Sequence, residues 1–191
     1  MGFASVVVIL GLVLANNASF MKRFDSIADT KYNWSNVSRF IIWDTAYSIF
    51  KEHPVLGVGL GSFSKEYKNT VVDRTLKRNV PLKDWQKKQL KDLSHAHNNF
   101  IQMLAENGLV GFAGYIFAFG FILWRNIKNY FVNKNPYALM IAGSTGALML
   151  QGMTEYNFGN SSVMKMYWFV LACLIVLARY YNKENAEKET K

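Results

Sequence analysis

Six consecutive residues, Ser94-His95-Ala96-His97-Asn98-Asn99, carry two imidazoles and two carboxamides just ahead of an uncharged run over 107–124. Imidazole is the side chain that most readily exchanges a proton near neutral pH. If Ser94 caps the helix that enters the run, His97 falls in its first turn, beside backbone N–H groups that lack an intrahelical acceptor. The positive end of a helix dipole disfavours imidazolium. His97 would then be a neutral ring, able to take a proton from a hydroxyl. Positions 97, 101 and 104 would share one face, with Asn98 about a third of a turn around. His95 falls at the helix edge or outside it. No cysteine or third histidine lies close by and no His-Glu-x-x-His spacing occurs, so no metal site is expected. The competing reading of the stretch is a polar cap on a membrane helix.

A second cluster, Gly57-Val58-Gly59-Leu60-Gly61, has Ser62 where a dinucleotide fingerprint needs its last glycine. The glycines instead suit a tight turn or close approach to a neighbouring helix. Their backbone N–H groups would also suit a phosphate. Farther on, Lys83, Lys87 and Lys91 recur every four residues, with Trp85 and Leu93 for an apolar side. That pattern fits an amphipathic helix on lipid head groups or a solvated charged face. Two glycosylation sequons, at Asn33 and Asn36, are short enough to be accidental.

These groups must be positioned by apolar elements. Half of the 191 residues are hydrophobic, and 22 Lys and Arg stand against 13 Asp and Glu. The apolar residues gather into four expected membrane segments, 3–20, 108–126, 136–153 and 163–180. The fourth is the least secure, because its uncharged stretch, 166–178, is short. The fold class expected is an all-α integral membrane protein with a large, mostly helical extracytoplasmic loop. Its parts are a transmembrane helix over 1–20, a loop over 21–107, three transmembrane helices over 108–182 and a cytoplasmic tail over 183–191. The turn with Arg125, Lys128 and Lys134 holds no acid, which places it in the cytoplasm. The loop then faces outside, although it carries fourteen Lys and Arg against nine Asp and Glu. Long loops cross regardless of charge. An outward-facing basic surface suits membrane lipids or a phosphate-bearing substrate and argues against nucleic acid.

Within the loop, apolar positions 40, 43, 47 and 50 predict a helix over 35–51, with Ser35 or Ser38 as its cap. Cys173, the one cysteine, is expected as a packed thiol inside an apolar helix, with no disulfide possible within the chain. The chain opens inside an apolar run that no Lys or Arg precedes, so it reads as the later part of a longer protein rather than as a signal peptide.

His97-Asn98, nine residues, and then Gly108-Leu109-Val110-Gly111 resemble the His-[Asn/Ser/Gln]-x9-Gly-x-x-[Gly/Thr/Tyr] signature of the O-antigen ligase and O-antigen polymerase superfamily. Upstream, Arg39, Trp43 and His53-Pro54-Val55-Leu56-Gly57-Val58-Gly59-Leu60-Gly61-Ser62-Phe63 look like the block that opens that family's large periplasmic loop. The resemblance covers about residues 35–125, and the later helices agree only as generic membrane helices. It implies an enzyme of the bacterial inner membrane. Such an enzyme transfers a glycan from an undecaprenyl-diphosphate carrier to an acceptor at the outer face, inverting the anomeric centre without a metal or other cofactor. It assigns catalysis to His97 and the diphosphate to Arg39. Asn98 would orient His97 or hold a sugar hydroxyl. The acceptor would be the lipid A core for a ligase, or another polysaccharide repeat for a polymerase. A different class stays open: a transporter-like branch linked to inorganic carbon, with Ser144, Thr145, Gln151 and Glu155 as its site, or an inactive fragment.

Overall fold

The computed structural model describes residues 18, 19, 22, 26, 33–77 and 82–189. The described residues form six helices and no strand: α1 (Trp34–Glu52), α2 (Phe63–Lys77), α3 (Asp84–Asp92), α4 (Asn99–Asn133), α5 (Pro136–Gln151) and α6 (Ser161–Glu189). The chain divides into two compact units, 1–41 and 42–191. The first expected membrane segment, 3–20, falls almost wholly outside the described residues.

Residues 33–41 of the first unit open α1. Its start is marked not by Ser35 or Ser38 but by Asn33, whose side-chain oxygen accepts from the Ser35 amide at 3.0 Å. Asparagine serves this role as well as serine does. Arg39 sits on this part of the helix, half-buried.

In the second unit, α4, α5 and α6 form the apolar body. Both α4 and α6 pack on α5, and Tyr115, Phe119, Ile141, Leu148, Tyr167 and Leu171 make its centre. Away from that centre the surface stays apolar: Phe117 is 74 % exposed, Phe169 67 % and Leu150 68 %. Exposed apolar residues on this scale mark helices solvated by lipid rather than water. Cys173 obeys the same logic. It is exposed on α6, not packed inside, because in a bilayer the outward face of an apolar helix needs no covering.

Two of these helices, α4 and α6, are long and apolar enough to cross a membrane. The fourth expected segment lies within α6, whose helix continues well past its uncharged stretch. The third does not reach that standard. Its helix, α5, has 16 residues, about 24 Å at 1.5 Å per residue, against a hydrocarbon core of about 30 Å. Pro136 starts it and Asn135 caps it, accepting from the Tyr137 and Ala138 amides.

Two of the polar groups on α5 are spent within the bundle. Ser144 donates to the Ile141 carbonyl, and so does Thr145, whose hydroxyl also pairs with the Tyr167 hydroxyl at 2.9 Å. Of the basic segment 83–93, residues 84–92 are helical; Leu90 supplies the buried contact, while Trp85 stays 53 % exposed.

Candidate active site

The long helix α4 is broken near its start. Gly108 has φ 60° and ψ −162°, outside the helical region. An unbroken helix would bond the Leu109 and Val110 amides to the Ala105 and Glu106 carbonyls, four residues back. Instead Leu109 N donates to Pro54 O at 2.9 Å and Val110 N to Val55 O at 3.2 Å. The two abandoned carbonyls accept from the same segment, Val58 N to Ala105 O at 3.1 Å and Gly59 N to Glu106 O at 2.8 Å. The Pro54–Gly59 stretch is thus spliced into the helix's hydrogen-bond ladder, and these two amides and two carbonyls all find partners across the break.

The glycines make this possible. Gly57, Gly59 and Gly61 all have positive φ. A Cβ on Gly57 would collide with the Glu106 and Asn107 backbone, and one on Gly108 with the Val55 backbone. The expectation of close approach to a helix is met. The alternative, amides turned to a phosphate, is closed for Val58 and Gly59, whose N–H groups are spent on the helix. Glu106 adds a further tie. Its side chain, 3 % exposed, accepts from the Phe63 amide at the start of α2 at 3.2 Å, where the helix dipole favours an anion.

This framework presents the histidines. The cap of α4 is Asn98, not Ser94: its side-chain oxygen accepts from Phe100 N at 2.9 Å and Ile101 N at 3.0 Å. Its amide nitrogen donates to Met153 O at 2.7 Å. His97 therefore lies just before the helix rather than in its first turn, and the face shared with 101 and 104 does not include it. Its backbone is in the left-handed region, φ 48°, a conformation that costs a non-glycine residue about 1 kcal/mol. Both neighbours hold it there. Ala96 N donates to Gln102 Oε1 at 2.7 Å, and Ala96 O accepts from Trp43 Nε1 at 2.8 Å. Asn98 is fixed by its capping bonds on the other side.

His97 Nδ1 stands 3.3 Å from Glu155 Oε2. The tautomer protonated at Nδ1 donates to that carboxylate and leaves Nε2 as a base. The side chains of His97 and Glu155 are 29 % and 50 % exposed. The His95 ring packs edge-on against His97, with centroids 4.2 Å apart. His95 Nδ1 is buried without a hydrogen-bond partner. Burial, and then the neighbouring His97, hold the pKa of His95 below the usual histidine value. Tyr156 also packs against His95, with centroids 5.7 Å apart. Burial and the charge of Glu106 push its phenol upward, so it remains a hydrogen-bond donor.

Glu155 and Tyr156 are held by a bolt between helices. Asn99, fully buried, donates to Asn157 Oδ1, and its own side-chain oxygen accepts from Phe158 N at 3.1 Å. Asn157 in turn donates to Leu148 O at 3.1 Å, and Asn99 N to Gly152 O at 2.6 Å. The segment joining α5 to α6 is thereby pinned to the start of α4.

Beside it opens a cleft of about 640 Å³, with Ser94, His95, Glu155, Tyr156, Asn157 and Asn160 on its walls. His97 does not itself line the cleft but touches His95, which does, and Glu155 belongs to both the cleft and the pair. Hydroxyls, amides and a carboxylate around such a space suit a hydroxyl-rich ligand better than an apolar one. Among the described residues no three His, Cys, Asp or Glu stand together as metal ligands.

Of the site residues read from the sequence, His97 and Asn98 belong to this one assembly, and Arg39 lies in the other unit. In the sequence Glu155 stands only as a transporter candidate, and nothing there singles out Tyr156, Glu106 or Asn157. A signal was present: Thr154-Glu155-Tyr156-Asn157 is a polar run where an apolar helix ends, and a helical hairpin brings that end back toward the start of its partner.

Compared with known proteins, residues 1–116 match the model of a family described as O-antigen ligase. No curated protein matches the chain.

Proposed function

Because the chain belongs to the O-antigen ligase family, we propose that it joins a glycan from undecaprenyl diphosphate to an acceptor hydroxyl at the outer face of the inner membrane, as a ligase does with the lipid A core. Membership makes it a glycosyltransferase-like membrane enzyme of the ligase and polymerase kind. The observation that carries the finer reading is the His97–Glu155 pair beside a polar cleft.

In this reading an acceptor hydroxyl gives its proton to His97 Nε2 as its oxygen attacks the anomeric carbon. The bond from that carbon to the diphosphate oxygen breaks, and the electron pair leaves with undecaprenyl diphosphate. Attack from the opposite face inverts the centre. Glu155 holds the ring through Nδ1 and stabilises the imidazolium that forms, the same division of labour as in a hydrolase triad. Asn98 acts by fixing the backbone of His97. The resemblance of its sequence block assigns Arg39 to the leaving diphosphate. A guanidinium meets the charge developing there through paired hydrogen bonds, which asks for no metal. Sugar hydroxyls occupy the cleft along Tyr156, Asn157 and Asn160.

Membranes carrying the protein, supplied with undecaprenyl-diphosphate glycan and lipid A core, test this. At matched protein levels His97→Ala is expected to lower transfer by about 10²–10⁴-fold, the usual contribution of a positioned base. Glu155→Gln is expected to lower it by at least about tenfold, and Arg39→Ala to remove most of it. Full transfer by His97→Ala would take the histidine out of the mechanism. Elongation of the glycan without lipid A core would make the enzyme a polymerase.

A further inference from the structure

At the end of the helices opposite His97, α4 and α6 part above α5 and leave a second cleft, of about 230 Å³. Its inner wall is apolar, with Phe121 and Ile175; its outer wall carries Arg125, Asn129, Arg179 and Asn182. Among the described residues no carboxylate lines it. Among the described residues neither arginine has an ion-pair or hydrogen-bond partner. The nearby acids of the tail face the tail's own lysines, Glu184 with Lys188 at 2.7 Å and Glu187 with Lys183 at 3.9 Å.

The amides, in contrast, are used to hold the walls in place. Asn135 donates to Ala178 O and to Asn182 Oδ1 at 2.8 and 2.7 Å, and Asn182 donates to Asn129 Oδ1 at 3.4 Å. These bonds tie α6 to the start of α5 and to α4, so the two guanidinium groups are presented from a braced frame. On the same stretch of α4, Trp124 lies 60 % exposed with Lys128 Nζ 5.7 Å from its ring centre. Exposed tryptophan beside a lysine marks the depth of lipid head groups.

A cleft that is apolar toward the bilayer centre, and doubly cationic without an acid at head-group depth, has the pattern of an anionic amphiphile. We propose that it binds one anionic glycerophospholipid, with the phosphodiester between Arg125 and Arg179 and an acyl chain along Phe121 and Ile175, in the leaflet opposite the transfer site. Guanidinium forks suit the phosphate oxygens, and basic pockets between spanning helices are known to select such head groups. A free phosphate would use the arginines but gain nothing from the apolar wall. The inference rests on the membrane reading of α4 and α6 and not on the transfer chemistry.

The test is thermal unfolding of the whole protein in nanodiscs of zwitterionic lipid, titrated with phosphatidylglycerol. The unfolding midpoint is expected to rise with phosphatidylglycerol and to saturate, as for a ligand that binds the folded state. Arg125→Gln/Arg179→Gln is expected to need about thirtyfold more of the lipid for the same rise. Arg125→Lys/Arg179→Lys should keep most of the response, and inorganic phosphate at matched concentration should give none. His97→Ala should respond as the unaltered protein does, so failure of the transfer mechanism leaves this result standing. A rise unchanged in the glutamine variant, or an equal rise with inorganic phosphate, would overturn the proposal.

Discussion

Gly57 stands in the side-chain space of Gly108: a Cβ on Gly108 would lie 2.7 Å from the Gly57 nitrogen, and both residues have positive φ. The contact is the centre of the splice between the glycine loop and the broken helix. Alanine at either position meets backbone, which cannot swing aside, and adds left-handed strain of about 1 kcal/mol. Gly57→Ala and Gly108→Ala are each expected to cost more than about 2 kcal/mol. Gly61 supplies the contrast, since it also has positive φ but nothing lies within 4 Å of its added Cβ. Gly61→Ala should cost only the strain. Unfolding midpoints of the three variants in detergent, compared with the unaltered protein, give the ranking; equal losses at Gly61 and Gly108 would contradict the splice.

His97 holds its left-handed backbone at a cost, and that cost separates stability from function. His97→Gly relieves the strain and keeps the bonds that Ala96 and Asn98 make. It is expected to leave stability unchanged or raise it by up to about 1 kcal/mol while transfer falls as in His97→Ala. A variant that is both inactive and strongly destabilised would make the residue structural instead of catalytic. The pairing of the unfolding midpoint with the transfer rate is the measurement.

The glycine loop, the histidines and the apolar runs were legible because each is a local property of the chain: a residue type, a spacing or an uncharged length. Close approach by Gly57 follows from its lacking a Cβ, whichever helix it meets. What was not legible depends on pairing across long separations. Glu155 is 58 residues from His97, and only the packing of α4 on α5 makes it a partner. The cap shows the same limit at short range. Ser94 and Asn98 are both good caps, and the choice falls to Asn98 because its amide also reaches Met153 O. The end of α5 was not legible for a third reason. Apolar character continues past Gln151, but Gly152 and the turn after it end the helix.

His95 makes the fold sensitive to acid. Its ordinary value is 6.5, and burial together with His97 lowers it in the folded protein. The unfolded chain therefore binds a proton at a higher pH than the folded protein does. Stability is full above the unfolded value. It falls as pH drops through about 6.5, and the loss levels off once pH is below the folded value. His95→Gln is expected to flatten this part of the stability curve while leaving other acid transitions in place. Unfolding midpoints from pH 7.5 to 5 for both proteins decide it, and identical slopes would exclude His95 as the source.

The Asn99–Asn157 bolt links stability to the placing of Glu155. Asn99→Ala strands the Phe158 amide and the Asn157 side-chain oxygen in a buried setting, at a cost of about 1–3 kcal/mol for each unsatisfied group. Asn157→Ala strands the Asn99 amide in the same way, while the Leu148 carbonyl keeps its bond from the Gly152 amide. The double variant removes both ends of their shared bond, so its loss is expected to be smaller than the sum of the single losses by about 0.5–3 kcal/mol. Transfer activity should follow the same non-additive pattern, because either single change frees the segment that carries Glu155. Additive losses in stability with undiminished transfer would show that the segment is held by its packing alone and that the asparagine pair does not place the carboxylate.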